Sequence, residues 1–370
     1  MVEHIFGELE RLKKIDRKLI DFNLEPLLVE KSDFDCVLCC RTLWKPVTTP
    51  CGHSYCLVCL DRSLDYSSSC PLCMKSLADY LAVTPKKTTK FLCKAVKTLF
   101  PTEYLTRQMI HQAEISELAI SHAEKQPRIP VFVCTTAYPS IHCPLFIYEP
   151  RYRLMIRRCV EAGTRQFGIA ACFMSEDGNR RYADYGTILE IKDWVLMSDG
   201  CSILSTVGVR RFRTLSRSER DGYDTARIEF LTDEPVSEAS VLELKQLHDK
   251  VRSKALSWMR TFTEDFQEQV VSSFGTIPDV ENNWHTLPDG PSWTWWLLTI
   301  LPLGPQLQVS ILGTTRLEKR LRAIDKTLNQ IQDRFQPQST ASKISTEVPC
   351  SSIPRVEAFS LSTNCPFRRT

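Results

Sequence analysis

The sequence has no long hydrophobic run, no signal-like start and little net charge, and each absence excludes a class of protein. The longest apolar run, WTWWLLTILPL at 293–303, is shorter than the roughly 18 residues that a membrane-spanning helix needs. A net charge of +3 over 370 residues does not favour nucleic acid as a partner. Because MVEHIFGELERLKK lacks the apolar core of a signal peptide, we expect a soluble cytoplasmic protein, with the nucleus as the alternative.

Cysteine, in contrast, is abundant, with 16 residues in the chain. In an intracellular protein this favours metal ligation or reduced thiols over disulfides. Between residues 36 and 73 the spacing is a C-x2-C pair, a C-x-H pair and two further C-x2-C pairs, which supplies enough ligands for two tetrahedral Zn²⁺ ions. The predicted ligands are Cys36, Cys39, Cys51, His53, Cys56, Cys59, Cys70 and Cys73.

Two such sites would be closed, because four protein ligands per ion leave no position for water or substrate. We therefore predict structural zinc and no catalytic residue in this chain. Redox chemistry would need free thiols, which zinc consumes. Cys40 lies beside Cys39 and could in principle replace it, but the C-x2-C spacing favours Cys39, and Cys40 is interpreted as a small packed thiol.

The segment DCVLCCRTLWKPVTTPCGHSYCLVCLDRSLDYSSSCPLC resembles the RING finger family, whose pattern is three Cys, one His and four Cys. The glycine before the histidine, Gly52, and the CP-x-C ending are both present. The resemblance implies cross-braced ligation, with one ion on Cys36, Cys39, Cys56 and Cys59 and the other on Cys51, His53, Cys70 and Cys73. It also implies that a ubiquitin-conjugating enzyme carrying ubiquitin docks on a shallow apolar surface. The matching positions are Val37, Leu38, Leu60, Leu64, Pro71 and Leu72.

One position departs from that pattern. Many active RING fingers have an Arg or Lys directly after the last cysteine, and here that residue is Met74, followed by Lys75. This keeps an alternative open, in which the chain is a non-catalytic zinc-stapled adaptor that binds protein partners.

The whole chain, with the zinc finger included, divides into five predicted regions. The first is an amphipathic helix that either packs on its neighbour or mediates homodimerisation. The last is rich in Ser, Thr and Pro and is expected to be disordered. The predicted regions are an N-terminal helix at 1–30, the zinc finger at 33–80, a helical linker at 84–128, a β-rich domain with C-terminal helices at 129–336 and a tail at 337–370.

The β-rich region contains LFIYEPRY followed by a helix, and resembles the N-terminal substrate-binding domain of Lon proteases. No G-x4-G-K-[ST] motif occurs and the Lon Ser–Lys protease domain has no counterpart, so we do not expect an ATP-dependent protease. A RING finger followed by this domain resembles the LON peptidase N-terminal domain and RING finger protein family, in a short form without visible tetratricopeptide repeats. The fold class implied is α+β. The function implied is a RING-type E3 ubiquitin ligase for bound client proteins, with a role in protein quality control.

Two stretches invite other interpretations. The basic run VRRFRTLSRSER at 209–220 resembles a patch for nucleic acid or an acidic partner. It lacks interleaved aromatic residues, and Glu219 and Asp221 reduce its positive charge, so we interpret it as a solvated strand and loop. The run PSWTWWLLTILPLG resembles an aromatic ligand box, but the spacing of its apolar residues favours a core helix.

Overall fold

The computed structural model describes residues 30–78, 80, 87–118, 126–174, 180–197 and 200–335. Residues 1–29 of the predicted N-terminal helix and the whole predicted tail lie outside them. The chain forms two compact units, each described by itself below. In the described part of the chain, no helix combines the length and the apolar content needed to cross a membrane.

The cysteine-rich segment consists of two small antiparallel hairpins, a helix and two flanking helices. Such short strands bury little apolar surface, so the segment needs another source of stability. Its elements are a 3-10 turn at Lys31–Phe34, β1 at Asp35–Cys36, β2 at Arg41–Thr42, β3 at Pro46–Thr48, β4 at Ser54–Cys56, α1 at Leu57–Leu64, α2 at Lys90–Leu99 and α3 at Pro101–Leu118.

The helices α2 and α3 lie in the stretch that the sequence assigns to a linker, and they pack on the hairpins. The ring of Tyr104 in α3 lies 4.7 Å from the ring of Trp44, centroid to centroid. The backbone N–H of Thr89, which precedes α2, donates to the carbonyl of Pro46 in β3 at 2.7 Å. The cysteine-rich segment is therefore continuous with these two helices.

The second unit is built on a sheet in which five strands close into a ring. The order is β11-β5-β7-β9-β10, and β10 also pairs with β11, while β6 extends from β10 and β8 from β7. The elements are β5 at Arg128–Cys134, β6 at His142–Ile147, α4 at Pro150–Glu161, β7 at Gln166–Met174, β8 at Arg180–Tyr182, β9 at Tyr185–Leu196, β10 at Ser202–Arg220 and β11 at Tyr223–Phe230.

The 19-residue β10 is long enough to reach three partners, since β6 and β11 pair with successive stretches of it and β9 pairs with its first two thirds. A register shift lies between Gly208 and Arg210 in the pairing with β9. A Cβ at Gly208 would lie 2.0 Å from the carbonyl oxygen of Tyr138, so only glycine allows the loop before β6 to approach the strand there.

Helices follow the sheet and form a second core. The last helix places Leu317, Leu321, Ile324 and Leu328 on one buried face, at the spacing of an amphipathic helix. Trp293, Trp295 and Trp296 are buried, which confirms a core helix over the tryptophan-rich run. These helices are α5 at Glu238–Met259, α6 at Glu264–Phe274, α7 at Ser292–Ile300, α8 at Pro305–Leu312 and α9 at Leu317–Phe335, with a 3-10 turn at Trp284–Thr286.

The interpretation of the basic run at 209–220 as a solvated strand and loop is wrong for Arg211. The run lies in β10, and the Arg211 side chain is fully buried. Its guanidinium pairs with Asp233 and with Asp289, each at 2.5 Å, and Arg320 of α9 pairs with the same Asp233 at 2.5 Å. Because a buried charge needs a partner, these carboxylates are what allow an arginine in this position.

A second buried polar group lies in the helical core at His248 of α5. Its Nε2 accepts a hydrogen bond from Trp293 Nε1 at 2.9 Å, and its Nδ1 lies 2.8 Å from a carboxylate oxygen of Asp249. The Trp284 ring stacks on the imidazole at 4.1 Å between centroids. Burial lowers the pKa of His248 below its ordinary 6.5, because the site disfavours the imidazolium.

This burial predicts a loss of stability in mild acid. The unfolded chain binds more protons than the folded one below pH 6.5, so the free energy of unfolding falls as pH drops, by at most about 1.4 kcal/mol per pH unit. His248→Gln still accepts from Trp293 but does not titrate. Denaturant unfolding followed by tryptophan fluorescence at pH 7.5 and 5.5 should show a smaller loss in the variant. An equal loss in both proteins would mean that His248 is not the group responsible.

Candidate metal centre

The first and last C-x2-C pairs form two turns of the same construction. The N–H of Cys40 donates to the carbonyl of Cys36 at 2.7 Å, and the N–H of Met74 donates to that of Cys70 at 2.9 Å. Cys40 and Met74 have left-handed backbones, with φ of 50° and 60°. Each turn brings two thiols to the same side of the chain, which is the arrangement that a metal knuckle requires.

The first cluster contains Cys36, Cys39, Cys56 and Cys59, whose sulfurs all lie within 4.8 Å of one another. Cys36 ends β1, Cys56 ends β4 and Cys59 lies in the first turn of α1. Backbone groups also approach the sulfurs: the N–H of Trp44 donates to Cys56 Sγ at 3.2 Å, and the N–H of Cys56 to Cys36 Sγ at 3.4 Å. Such N–H···S contacts fix the orientation of ligands around a metal.

The second cluster contains Cys51, His53, Cys70 and Cys73, again within 4.8 Å. Cys51 and His53 lie in the turn between β3 and β4, where Gly52 has a φ of 89° that favours glycine. Thr49 Oγ1 lies 3.0 Å from Cys51 Sγ. The two clusters alternate along the chain, so the predicted cross-brace is confirmed.

The distances fit tetrahedral zinc. With Zn–S bonds of about 2.3 Å, two sulfurs on one ion lie about 3.8 Å apart, and a sulfur and a nitrogen about 3.6 Å apart. Cys39 Sγ and Cys56 Sγ are separated by 4.0 Å, and Cys51 Sγ and His53 Nδ1 by 3.4 Å. The chain thus has two Zn²⁺ sites, both closed by four protein ligands.

The thiols of the first cluster shift one another's pKa through the hydrogen bonds that they share. Hydrogen bonds from the Cys56 and Cys59 thiols lower the pKa of Cys36, and the bond from Cys56 to the Cys36 sulfur raises the pKa of Cys56 to about 12. One thiolate is therefore stabilised at the expense of its neighbours. Zinc must displace the remaining protons, so its affinity falls in acid.

The side chains predicted to contact a conjugating enzyme divide into two groups by exposure. Val37, Leu38 and Leu72 are 57%, 39% and 57% exposed, and Pro71 is partly exposed, all within the two knuckles. Leu60 and Leu64 of α1 are only 0% and 5% exposed, since they pack inside the fold. Of the six predicted positions, the four in the knuckles are therefore accessible to a partner, and Leu60 and Leu64 are not.

Cys40 was expected to be a packed thiol, and this is wrong. It lies outside both clusters and is exposed, because the left-handed turn after Cys39 takes it away from the first zinc site. The preference for Cys39 as the ligand agrees with the structure.

One residue near the metal was not found from the sequence. Arg107 of α3 reaches the sulfurs of Cys39 and Cys56. No local spacing indicates this contact, because 68 and 51 residues separate Arg107 from the two cysteines.

Comparison with known proteins agrees with this architecture. Residues 35–73 match the C3HC4-type zinc finger (RING finger) family. A LON peptidase N-terminal domain and RING finger protein of Schizosaccharomyces pombe is 29% identical over 233 residues, which cover 58% of this chain and 45% of that protein. A postreplication repair E3 ubiquitin-protein ligase of Kluyveromyces lactis is 43% identical over 44 residues, 12% of this chain and 10% of the ligase. The chain thus spans less than half the length of these relatives.

Among solved structures, a Lon N-terminal domain protein from Xanthomonas campestris is similar, with 20% identity and a TM-score of 0.36. The match covers 54% of this chain and 97% of that one. Residues 128–330, more than half of the chain, match the ATP-dependent protease La (LON) substrate-binding domain. The chain therefore belongs to the LON substrate-binding domain family, with a RING finger ahead of that domain.

Proposed function

We propose that the chain is a RING-type E3 ubiquitin ligase, which positions a ubiquitin-charged conjugating enzyme next to client proteins bound by the LON domain. The observation that carries the proposal is a pair of closed zinc clusters with exposed apolar side chains on both knuckles. A closed zinc site offers no reactive group, so such a domain acts by binding and orienting another enzyme. The similarity to a protein named as an E3 ubiquitin-protein ligase supports this role.

In this mechanism, the conjugating enzyme's cysteine carries ubiquitin as a thioester and a client lysine attacks it. The ligase contributes proximity and orientation, which lower the barrier without a covalent intermediate on this chain. Val37 and Leu38 follow Cys36, and Pro71 and Leu72 follow Cys70, so each knuckle presents the same two positions. The zinc ions fix these loops, and the loops supply the apolar contacts.

Met74 favours the second candidate, an adaptor without ligase activity. It occupies the left-handed position after Cys73 and is 67% exposed, with the exposed Lys75 next to it. An apolar side chain there cannot donate the hydrogen bonds that an arginine would make to an enzyme and its ubiquitin.

An autoubiquitination assay of the full chain with a panel of conjugating enzymes separates the two candidates. The ligase proposal predicts ubiquitin chains with at least one enzyme, and their loss when a chelator removes zinc. Silence with every enzyme, from protein that contains two zinc ions, would support the adaptor.

For client binding, the β sheet offers an exposed apolar surface, which we name the apolar row: Val195, Ile203, Phe146 and Tyr148. Ile203 of β10 lies opposite Phe146 of β6 and opposite Val195 of β9. The four side chains are 53%, 48%, 38% and 51% exposed. Adjacent exposed apolar side chains are typical of protein-binding surfaces, and unfolded clients expose apolar segments that would cover them.

We expect the double variant Phe146→Ser/Ile203→Ser to bind a reduced, unfolded test protein at least about tenfold more weakly, since a tenfold change needs only about 1.4 kcal/mol. Leu242→Ser is the matched control, because Leu242 is an exposed leucine on the helix α5 and not on the strands that carry the row. Fluorescence anisotropy with labelled client measures the affinity. Equal, weak binding of native and unfolded client by the parent protein would remove the client-binding part of the proposal.

A further inference from the structure

Arg107 places a positive charge against the sulfurs of the first zinc cluster. Its Nη2 lies 3.5 Å from Cys56 Sγ and its Nη1 lies 3.7 Å from Cys39 Sγ. Both hydrogen bonds that this guanidinium makes within the described residues therefore end on metal-ligand sulfurs. The side chain is partly buried, so solvent competes only in part for these donors.

The position of Arg107 follows from the packing of α3. Tyr104 lies three residues earlier on the same helix face and packs on Trp44. The backbone N–H of Trp44 in turn donates to Cys56 Sγ. One aromatic contact thus fixes the distance of the helix from the metal site, and the next residue on that face reaches the sulfurs.

The charge of the site explains why a cation is needed there. Four thiolates around Zn²⁺ leave a net charge of about −2, whereas three thiolates and a neutral histidine leave about −1. Arginine stays charged at every accessible pH and presents two donors in a fixed plane, so it can contact two sulfurs at once. The more negative of the two sites is the one that receives it.

We propose that Arg107 is an outer-shell residue of the first zinc site, which retains this metal by neutralising its thiolates and ties the flanking helix α3 to it. The part of the chain that depends on zinc for its structure then includes α3 as far as Arg107, in addition to residues 35–73. Outer-shell partners of metal ligands typically change affinity by about 10–100-fold. The second cluster, Cys51, His53, Cys70 and Cys73, serves as an internal reference in spectra of the metal-replete molecule.

The test uses the full chain loaded with two zinc ions and mixed with excess pyridylazoresorcinol, a chromogenic chelator. Arg107→Met keeps the aliphatic stem but removes the charge, and should release the first ion at least about tenfold faster, with the second following it because the two clusters alternate along the chain. Arg107→Lys keeps the charge but offers a single point of contact, so its rate of zinc release should lie between those of Arg107→Met and the parent. Lys94→Met is the control. It removes a cation from α2, the other helix that flanks the zinc finger, and this variant should release both ions at the parental rate.

Cadmium NMR identifies the ion that is affected, because the all-sulfur site and the mixed sulfur–nitrogen site give separate ¹¹³Cd resonances. In Arg107→Met, the resonance of the all-sulfur site should shift or broaden while that of the mixed site stays. Parental release by Arg107→Met overturns the proposal. So does a change in both ¹¹³Cd resonances together with a weaker circular dichroism signal in the metal-replete variants, which would indicate a general loss of folding.

Discussion

Cys39→Ser is expected to lose the first zinc ion and to weaken the second, leaving fewer than one zinc per chain. The substitution removes one of four sulfurs from the first cluster, and serine is a poor ligand for this metal. Because the clusters alternate along the chain, loss of the first ion releases the loops that bear the second. Binding of a structural zinc contributes about 10–16 kcal/mol, far more than so small a core can replace.

The neighbouring substitution Cys40→Ser makes the same chemical change one residue later, outside both clusters. It should retain two zinc ions and parental folding. Inductively coupled plasma mass spectrometry gives the metal content, and hydrogen exchange over residues 35–73 gives the folding. If the two variants behaved alike, or if Cys40→Ser were the damaging one, the ligand assignment would be wrong.

Leu38→Ala is expected to slow ubiquitin transfer by at least about tenfold while leaving two zinc ions in place. Leu38 is exposed in the first knuckle, so its loss removes contact area for a partner without opening a cavity in the fold. A central apolar contact in an interface contributes more than about 1.4 kcal/mol, which is a factor of ten. Single-turnover discharge of ubiquitin from a charged conjugating enzyme onto free lysine measures this step alone.

Phe91→Ala is the control for that experiment. Phe91 is also an exposed apolar residue, 76% accessible, but it lies on α2 and not on a knuckle. It should discharge ubiquitin at the parental rate. Equal rates for the parent and Leu38→Ala would contradict the proposed docking surface, provided that the parent is active.

The zinc ligands could be predicted from the sequence because metal knuckles are local. Cys36 and Cys39, or Cys70 and Cys73, need only one turn of chain to meet, and spacing records that turn directly. The β-rich region and its helices were also predictable, since alternation and helical spacing are properties of single elements. The assignment of the four ligand pairs to the two zinc ions was implied by the resemblance to RING fingers, and the structure agrees with that assignment.

Arg107 and Arg211 could not be placed from the sequence, because their partners are distant along the chain. Arg107 meets sulfurs more than 50 residues earlier, and Arg211 meets carboxylates 22 and 78 residues later. From the sequence alone, a basic run is expected to be exposed to solvent, because the acidic side chains that pair with it in the fold cannot be identified. Burial of a charge therefore depends on tertiary contacts that periodicity does not record.

Side-chain exposure was also predicted incorrectly near the zinc sites, at Cys40, Leu60 and Leu64. Resemblance to a family gives a position in a motif, but not the exposure of the side chain there. The turn after Cys39 exposes Cys40, while α1 buries the two leucines. The exposed knuckle residues are what remain of the predicted docking surface.

X-ray absorption at the zinc edge of the metal-replete full chain, together with its zinc content, tests most directly whether residues 35–73 are braced by two closed metal sites. The expected result is two ions per chain with seven sulfur ligands and one nitrogen ligand between them. Fewer than two ions, or a water or carboxylate oxygen bound to either one, would contradict it.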